Sequence, residues 1–169
     1  TKAADSNYNA TTSVTTTVTI NSATTLGNGT DPSNSTTAGG GSATEVNSFT
    51  FQTSTTTDVI SAVSVEITNA SSTSLLEVTN NAGTVVYGST TNPTGSSVAI
   101  TLNNSTLTAT SGLTQYKIRI TPKTQANLPI GDSGQNYTVT ANIASFTSTN
   151  VQAGSDSAGT TITIDNLVA

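Results

Sequence analysis

The side chains that could do chemistry in this chain are hydroxyls and a few carboxylates. There are 39 Thr and 23 Ser, but a hydroxyl becomes a nucleophile only beside a general base. The chain has no His and no Cys, which excludes Ser-His and Cys-His nucleophilic sites and zinc centres built from those ligands. Paired carboxylates are the remaining route, because glycoside hydrolysis needs two acidic groups flanking the scissile bond. Glu66 and Glu77 are the strand-borne candidates. By alternation both fall on outward faces among Ser and Thr, where pairing across strands with Lys117 or Arg119 is expected, worth about 0.2–1 kcal/mol. Sugar-active clefts also present stacking aromatics, and this chain has no Trp, three Phe and four Tyr. The expectation is a protein that is not an enzyme, with no catalytic residue.

Bound ions and cofactors fare no better. A phosphate-cradling Gly-rich loop needs a following helix to supply backbone amides, and "AGGGSATE" precedes a strand. Calcium takes oxygen ligands from loops, which points to Asp31 in "NGTDPSN", Asp132 in "IGDSG" and Asp156 in "GSDSAG". No D-x-D-x-D spacing accompanies them, so all three read as turn caps bonding their own backbone. No metal and no cofactor are expected. A Lys–Asn isopeptide crosslink needs a buried Lys beside a carboxylic acid, and Lys117 alternates outward. Seven N-x-S/T sequons occur, at Asn9, Asn28, Asn34, Asn69, Asn103, Asn104 and Asn136, where chance in so Asn- and Thr-rich a chain gives about six. Glycans and surface ligands stay open as partners.

Four basic residues against nine acidic give a net charge of −5 and a pI near 4.1. Nucleic-acid binding relies on Lys and Arg neutralising phosphates, so it is excluded. No apolar run approaches the roughly 20 residues of a membrane-spanning helix. Only 8% of the 169 residues are charged, so hydroxyls and amides must wet the surface. Disorder combines low hydrophobicity with high charge or abundant proline, whereas Val and Ile recur here in ordered alternation. The length suits one domain, able to bury roughly 68–70% of its unfolded surface. The absence of Met leads us to expect that a secretory signal has been removed and that the protein is extracellular or on the cell surface.

The elements that must position these residues are strands. Helical periodicity is nearly absent and period-two alternation recurs. In "EVNSFTFQT" (45–53) the inward residues are Val46, Phe49 and Phe51. In "VISAVSVEIT" (59–68) they are Val63, Val65 and Ile67, with Ser64, Glu66 and Thr68 outward. "SLLEVTN" (74–80) and "GTVVYGS" (83–89) flank "NNAG", a hairpin turn because Asn and Gly tolerate positive φ. "SVAITL" (97–102) follows, then "QYKIRIT" (115–121), which turns Tyr116, Ile118 and Ile120 inward and Lys117 and Arg119 outward. "QNYTVTANIASFTST" (135–149) is long enough to bend or change sheets, and Tyr137 within it is read as a core residue. "GTTITIDN" (159–166) is last. About nine strands with frequent turns predict an all-β, antiparallel β-sandwich, immunoglobulin/fibronectin-like or jelly-roll-like.

One strand stands apart. In "TTSVTTTVTI" (11–20), Val14, Thr16, Val18 and Ile20 share one half-apolar face that wants a partner sheet. More than twenty residues of Gly, Ser, Asn and Thr then precede the next confident strand. Only a short strand around Thr25–Leu26 interrupts them. Loops of that length are uncommon inside compact domains. We therefore divide the chain into an N-terminal segment (1–22) carrying a candidate donor strand and a sandwich domain (23–169) with a flexible loop at about 21–44. The strand either pairs at home or completes a neighbour's sheet by strand addition. "TTVTIN" (16–21) and "TTITIDN" (160–166) are nearly the same strand. They read either as ordinary edge strands or as pairing partners where subunits meet.

The run from "LGNGTDPSN" through "SFTFQTSTTTD", "SLLEVTNNAGTVVYGS", "QYKIRITPKTQANLP" and "NYTVTAN" to "GSDSAGTTITIDN" resembles the Thr-rich β-sandwich repeats of large bacterial surface proteins. It covers most of residues 25–166. The resemblance implies an exported structural or adhesive module, with no catalytic residue to carry over. In carrying its own N-terminal strand the chain departs from repeat arrays. In that feature it is similar in architecture to donor-strand filament subunits, such as biofilm-matrix fibre proteins and archaeal bundling pilins. The leading expectation is a homopolymeric, pilus-like extracellular filament subunit. The alternative is an adhesin or surface-layer binding module from a larger cell-surface protein.

Overall fold

Thr, Val and Ile favour extended backbone because their branched Cβ restricts χ1, and the structure, a computed structural model, is built from strands. It describes residues 21–54, 56–130 and 134–166. One sheet has six strands: β1 (Ala23–Asn28), β3 (Thr44–Thr53), β6 (Thr73–Asn80), β7 (Val86–Thr91), β10 (Thr114–Pro122) and β13 (Val151–Gly154). Their order is β13-β1-β3-β10-β6-β7. The facing layer has two parts. β5 (Ala62–Ile67) lies between β12 (Ala141–Thr147) and β8 (Ser97–Thr101), and β14 (Ile162–Asp165) lies between β11 (Tyr137–Val139) and β2 (Ser35–Ala38). β4 (Asp58–Ile60) pairs with β9 (Leu107–Ala109). The fold is a β-sandwich.

The core sits where the two layers' inward faces meet. Phe49, Phe51, Ile118, Ile120 and Leu76 from the first sheet, and Val65, Ile143, Ile162 and Ile164 from the second, are at most 1% exposed. The inward residues read from alternation, Val46, Phe49, Phe51, Val63, Val65, Ile67, Tyr116, Ile118 and Ile120, are all buried. Val46 has the wrong parity for this and is turned in by a bulge: Asn47 pairs with Ile118 and Glu45 with Arg119, which leaves Val46 as the extra residue. Four rings knit the centre. Phe51 packs against Phe49 at 5.6 Å, Tyr116 at 5.9 Å and, across the layers, Phe146 at 4.9 Å; offset and edge-on aromatic pairs of this kind add about 0.5–1.5 kcal/mol each beyond area burial.

The long run at 135–149 does change sheets. Its first part, β11, pairs with β14, and after Thr140 its second part, β12, pairs with β5. The run at 59–68 divides in the same way at Ser61, between β4 and β5. Tyr137 is buried, and its hydroxyl accepts a hydrogen bond from the Ile130 N–H at 3.0 Å.

Three expectations need correcting. The stretch at 21–44 is not a flexible loop: the short strand read around Thr25–Leu26 is β1, and β2 follows it. Nor is the sandwich wholly antiparallel: β1 pairs in parallel with β13, and β2 in parallel with β14. These facts have one cause. The parallel partners of β1 and β2 lie more than 120 residues later, so β2, and the side of β1 that faces away from β3, are held as strands by the other end of the chain. Their own periodicity contributes little. Finally, residues 160–166 do not form an edge strand, because β14 has β11 on one side and β2 on the other. Its backbone is already committed within the domain.

Candidate strand-exchange interface

Val14, Thr16, Val18 and Ile20, the candidate donor residues, lie outside the described residues, and so does Asp132. What the structure shows is where that segment is anchored. The Ser22 carbonyl accepts from Val151 N–H at 3.0 Å, and Ala23 exchanges bonds with Ser54, N–H to Oγ at 3.0 Å and carbonyl from Ser54 N–H at 2.9 Å. This is the end of the sandwich where β1 begins and β3 finishes. The opposite end gathers Gly40, whose N–H bonds Lys123 O at 2.7 Å, and Gly39, whose N–H bonds Asp165 O at 3.4 Å. Asn166 is fixed there by its N–H on Asn136 Oδ1 at 3.0 Å. The described chain thus starts and finishes at opposite ends, separated by roughly the 33 Å that a ten-residue strand such as β3 spans.

The anchored end is tied by a carboxylate that alternation does not reveal. Asp58, 3% exposed at the start of β4, accepts from Thr24 Oγ1 at 2.6 Å, Thr149 Oγ1 at 2.7 Å and Thr149 N–H at 3.2 Å. It therefore joins β1, β4 and the link from β12 to β13. Burial by itself would raise the Asp58 carboxyl. Hydrogen bonds from Thr24, Thr149 and Ser148 outweigh that and hold it down at about 2.

Beside this end one strand has an outer edge with no partner strand among the described residues. β13 is the outer strand of the six-stranded sheet, with all four residues exposed and Val151 54% accessible. A cleft of about 130 Å³ opens between β13 and β12, lined by Leu26, Ala144, Ser145, Phe146, Ala153 and Gly154 among others. β12 is bulged there, with a register shift between Ile143 and Ser145. Gly154 is required: its φ is +78°, and a Cβ at that position would sit 2.0 Å from Leu26 O. An exposed edge with a partly apolar cleft beneath it is the geometry that strand addition uses, main-chain bonds for affinity and alternate side chains for fit.

The charged residues are elsewhere, and their pairing differs from expectation. Lys117 Nζ lies 2.7 Å from Glu45 Oε2, so it pairs with β3 and not with Glu66 or Glu77. Glu77 is opposite Arg119 in register, yet the guanidinium donates to the carbonyls of Gly83 at 3.0 Å and Ala43 at 3.4 Å. Glu66 faces Ser97 and Asn142. Alternation gave the face correctly but could not say which neighbouring strand would lie alongside.

The loop aspartates are likewise more than local caps. Asp31 Oδ1 accepts from Ser48 N–H at 2.7 Å, tying the segment after β1 to β3. Asp156 Oδ2 accepts from Asn47 Nδ2 at 2.6 Å and from Ile143 N–H at 2.8 Å, joining both layers. Asn47 was legible as an anomaly, since it shares the inward parity of Phe49 and Phe51. Among the described residues there is no group of three or more His, Cys, Asp or Glu placed to hold a metal ion, and no helix long and apolar enough to cross a membrane.

No family model and no curated protein matches the chain. Among solved structures it is similar to a chain of the crystal structure of a CaDoc0917 variant in complex with CaCohA2 at pH 5.5, at 13% identity and a TM-score of 0.34, over 88% of this chain and 99% of that one. A likeness that loose carries no argument about this protein.

Proposed function

We propose that this chain is a non-enzymatic structural subunit of an extracellular filament, joined by β-strand complementation. In this reading Val14, Thr16, Val18 and Ile20 of one copy enter the sheet edge of the next. The observation that carries it is the placement of the anchor: a strand-forming segment is tethered at Ser22, at the opposite end of the sandwich from Asn166. The exposed edge of β13 and the cleft under it supply an acceptor on the body. Each buried Val or Ile contributes on the order of 1.5–3 kcal/mol, and each ladder hydrogen bond roughly 0.5–1.5 kcal/mol. Opposing this is about 1–2 kcal/mol of backbone entropy per residue ordered. Each junction is therefore modest, and an interior subunit is retained because it makes two.

The test is deletion of residues 1–20, with the product viewed by negative-stain electron microscopy. The expected result is a folded monomer that does not elongate and that binds a synthetic peptide of residues 8–22, with Val18→Asp in the peptide weakening the binding sharply. Normal fibres from the deleted chain would show that the strand pairs within its own domain.

A further inference from the structure

The buried contact between Asp156 and Asn47 has an unusual hydrogen-bond balance. Asp156 Oδ2 takes two donors, Asn47 Nδ2 and the Ile143 N–H. The two remaining oxygens, Asp156 Oδ1 and Asn47 Oδ1, are sealed from water and have no hydrogen-bond partner among the described residues. Asn47 is 0% exposed and Asp156 9%. Leaving two acceptors bare in a core is costly, about 1–3 kcal/mol each and more for a charged group. A carboxylic acid and a primary amide remove both deficits at once. Each can present a donor and an acceptor side by side, so one amide N–H bonds one acid oxygen while the acid O–H bonds the amide oxygen.

We propose that Asp156 and Asn47 form such an acid–amide pair, with the proton on Asp156 Oδ1 donated to Asn47 Oδ1, and that loss of this proton to solvent unlatches the β13–β14 connection from β3 and β12. Among the described residues no cation opposes a negative charge at this place: Lys117 and Arg119 of β10, the strand beside β3, are engaged by Glu45 and by the Gly83 and Ala43 carbonyls. Of the surrounding elements, β1 and β12 carry no ionisable side chain, and the 155–161 connection carries only Asp156 itself. β3 contributes Glu45, occupied with Lys117, and β11 and β14 contribute Tyr137 and Asp165. The segment after β1 contributes Asp31, whose negative charge disfavours a second one nearby.

Burial, and then Asp31, raise the Asp156 carboxyl to about 6 against the lowering effect of the Ile143 and Asn47 hydrogen bonds. The folded protein therefore holds a proton that the unfolded chain, at 3.8, has already released. The latch's contribution is complete below about 3.8 and is lost as pH rises through about 6. The shift of about two units corresponds to a roughly hundredfold change in the unfolding equilibrium constant between pH 4 and pH 8.

Asp156→Asn tests this directly, because a carboxamide keeps one donor and one acceptor at every pH. The variant should match wild type at pH 4 and exceed it at pH 8, with the roughly hundredfold pH dependence between them removed. The ¹³C signal of the Asp156 carboxyl in the wild-type protein should titrate with a midpoint near 6. A variant less stable than wild type at pH 8, or a midpoint below 4, would overturn the proposal. So would stabilisation of wild type by added CaCl₂ at pH 8, since the oxygens would then be cation ligands. None of these readouts depends on filament formation.

Discussion

Replacing Asp58 by Asn should loosen the end of the sandwich from which the N-terminal segment leaves. The carboxylate collects three hydrogen bonds, from Thr24 Oγ1, Thr149 Oγ1 and Thr149 N–H. Thr24 Oγ1 also accepts from Asn150 Nδ2 at 3.2 Å, so receiving a second bond from the new amide would leave its own O–H without the acceptor that Asp58 provides. The carboxyl is held at about 2, below its ordinary 3.8. About 1.8 units at roughly 1.4 kcal/mol each gives about 2.5 kcal/mol as an upper figure. Water near the rim screens part of it, leaving roughly 1–2 kcal/mol. The sign follows from the lowered value: this stability is present above 3.8 and is lost as pH falls towards about 2. For a chain of this length it corresponds to roughly 2–8 °C in Tm. Thermal melts followed by circular dichroism at pH 2, 3 and 4 should show wild type losing stability across that window and Asp58→Asn lying lower at pH 4 with a flatter slope. Keeping below pH 4 separates the effect from Asp156, which acts between about 4 and 6 and in the opposite direction. An unchanged slope in the variant would refute the assignment of Asp58 as the tie.

Gly154→Ala should cost at least 1–3 kcal/mol, because φ is +78° and the new methyl meets Leu26 O. The damage should be local, with β13 parting from β1, and limited proteolysis should cut within 148–156; a wild-type melt and digest would contradict this. Phe51→Ala removes a fully buried ring that touches Phe49, Tyr116 and Phe146. It should cost about 3–5 kcal/mol in chemical denaturation, and a loss below 1 kcal/mol would mean that the two layers do not meet there.

Much of the sandwich was readable from period-two alternation alone. The ranges 45–53, 74–80, 97–102 and 115–121 match β3, β6, β8 and β10 to within a residue or so, and their inward Val, Ile, Phe and Tyr form the core. Alternation works there because burying every second side chain on one face is a local demand, met or failed within a few residues. It also gave the "NNAG" turn, whose Gly83 takes φ +70°. The strands it missed are short or polar: β2 reads "STTA", β9 "LTA" and β13 "VQAG", and β2 and β13 are extended only because a distant strand supplies their hydrogen bonds. Pairing partners more than a hundred residues away leave no trace in a local window.

Composition limited the chemistry, since without His or Cys the usual nucleophilic and zinc sites cannot be built. What the polar residues do instead was decided by the tertiary fold. Asp58 and Asp156 look alike in sequence, each an aspartate among Ser and Thr. Three-dimensional packing surrounds one with hydroxyl and amide donors and holds its carboxyl at about 2. It walls the other in beside a carboxamide and a second acid and lifts it to about 6. A carboxyl's ionisation depends on the donors and charges within a few ångströms, and those neighbours come from β1, β3, β12 and the 148–150 link. Only folding puts them there.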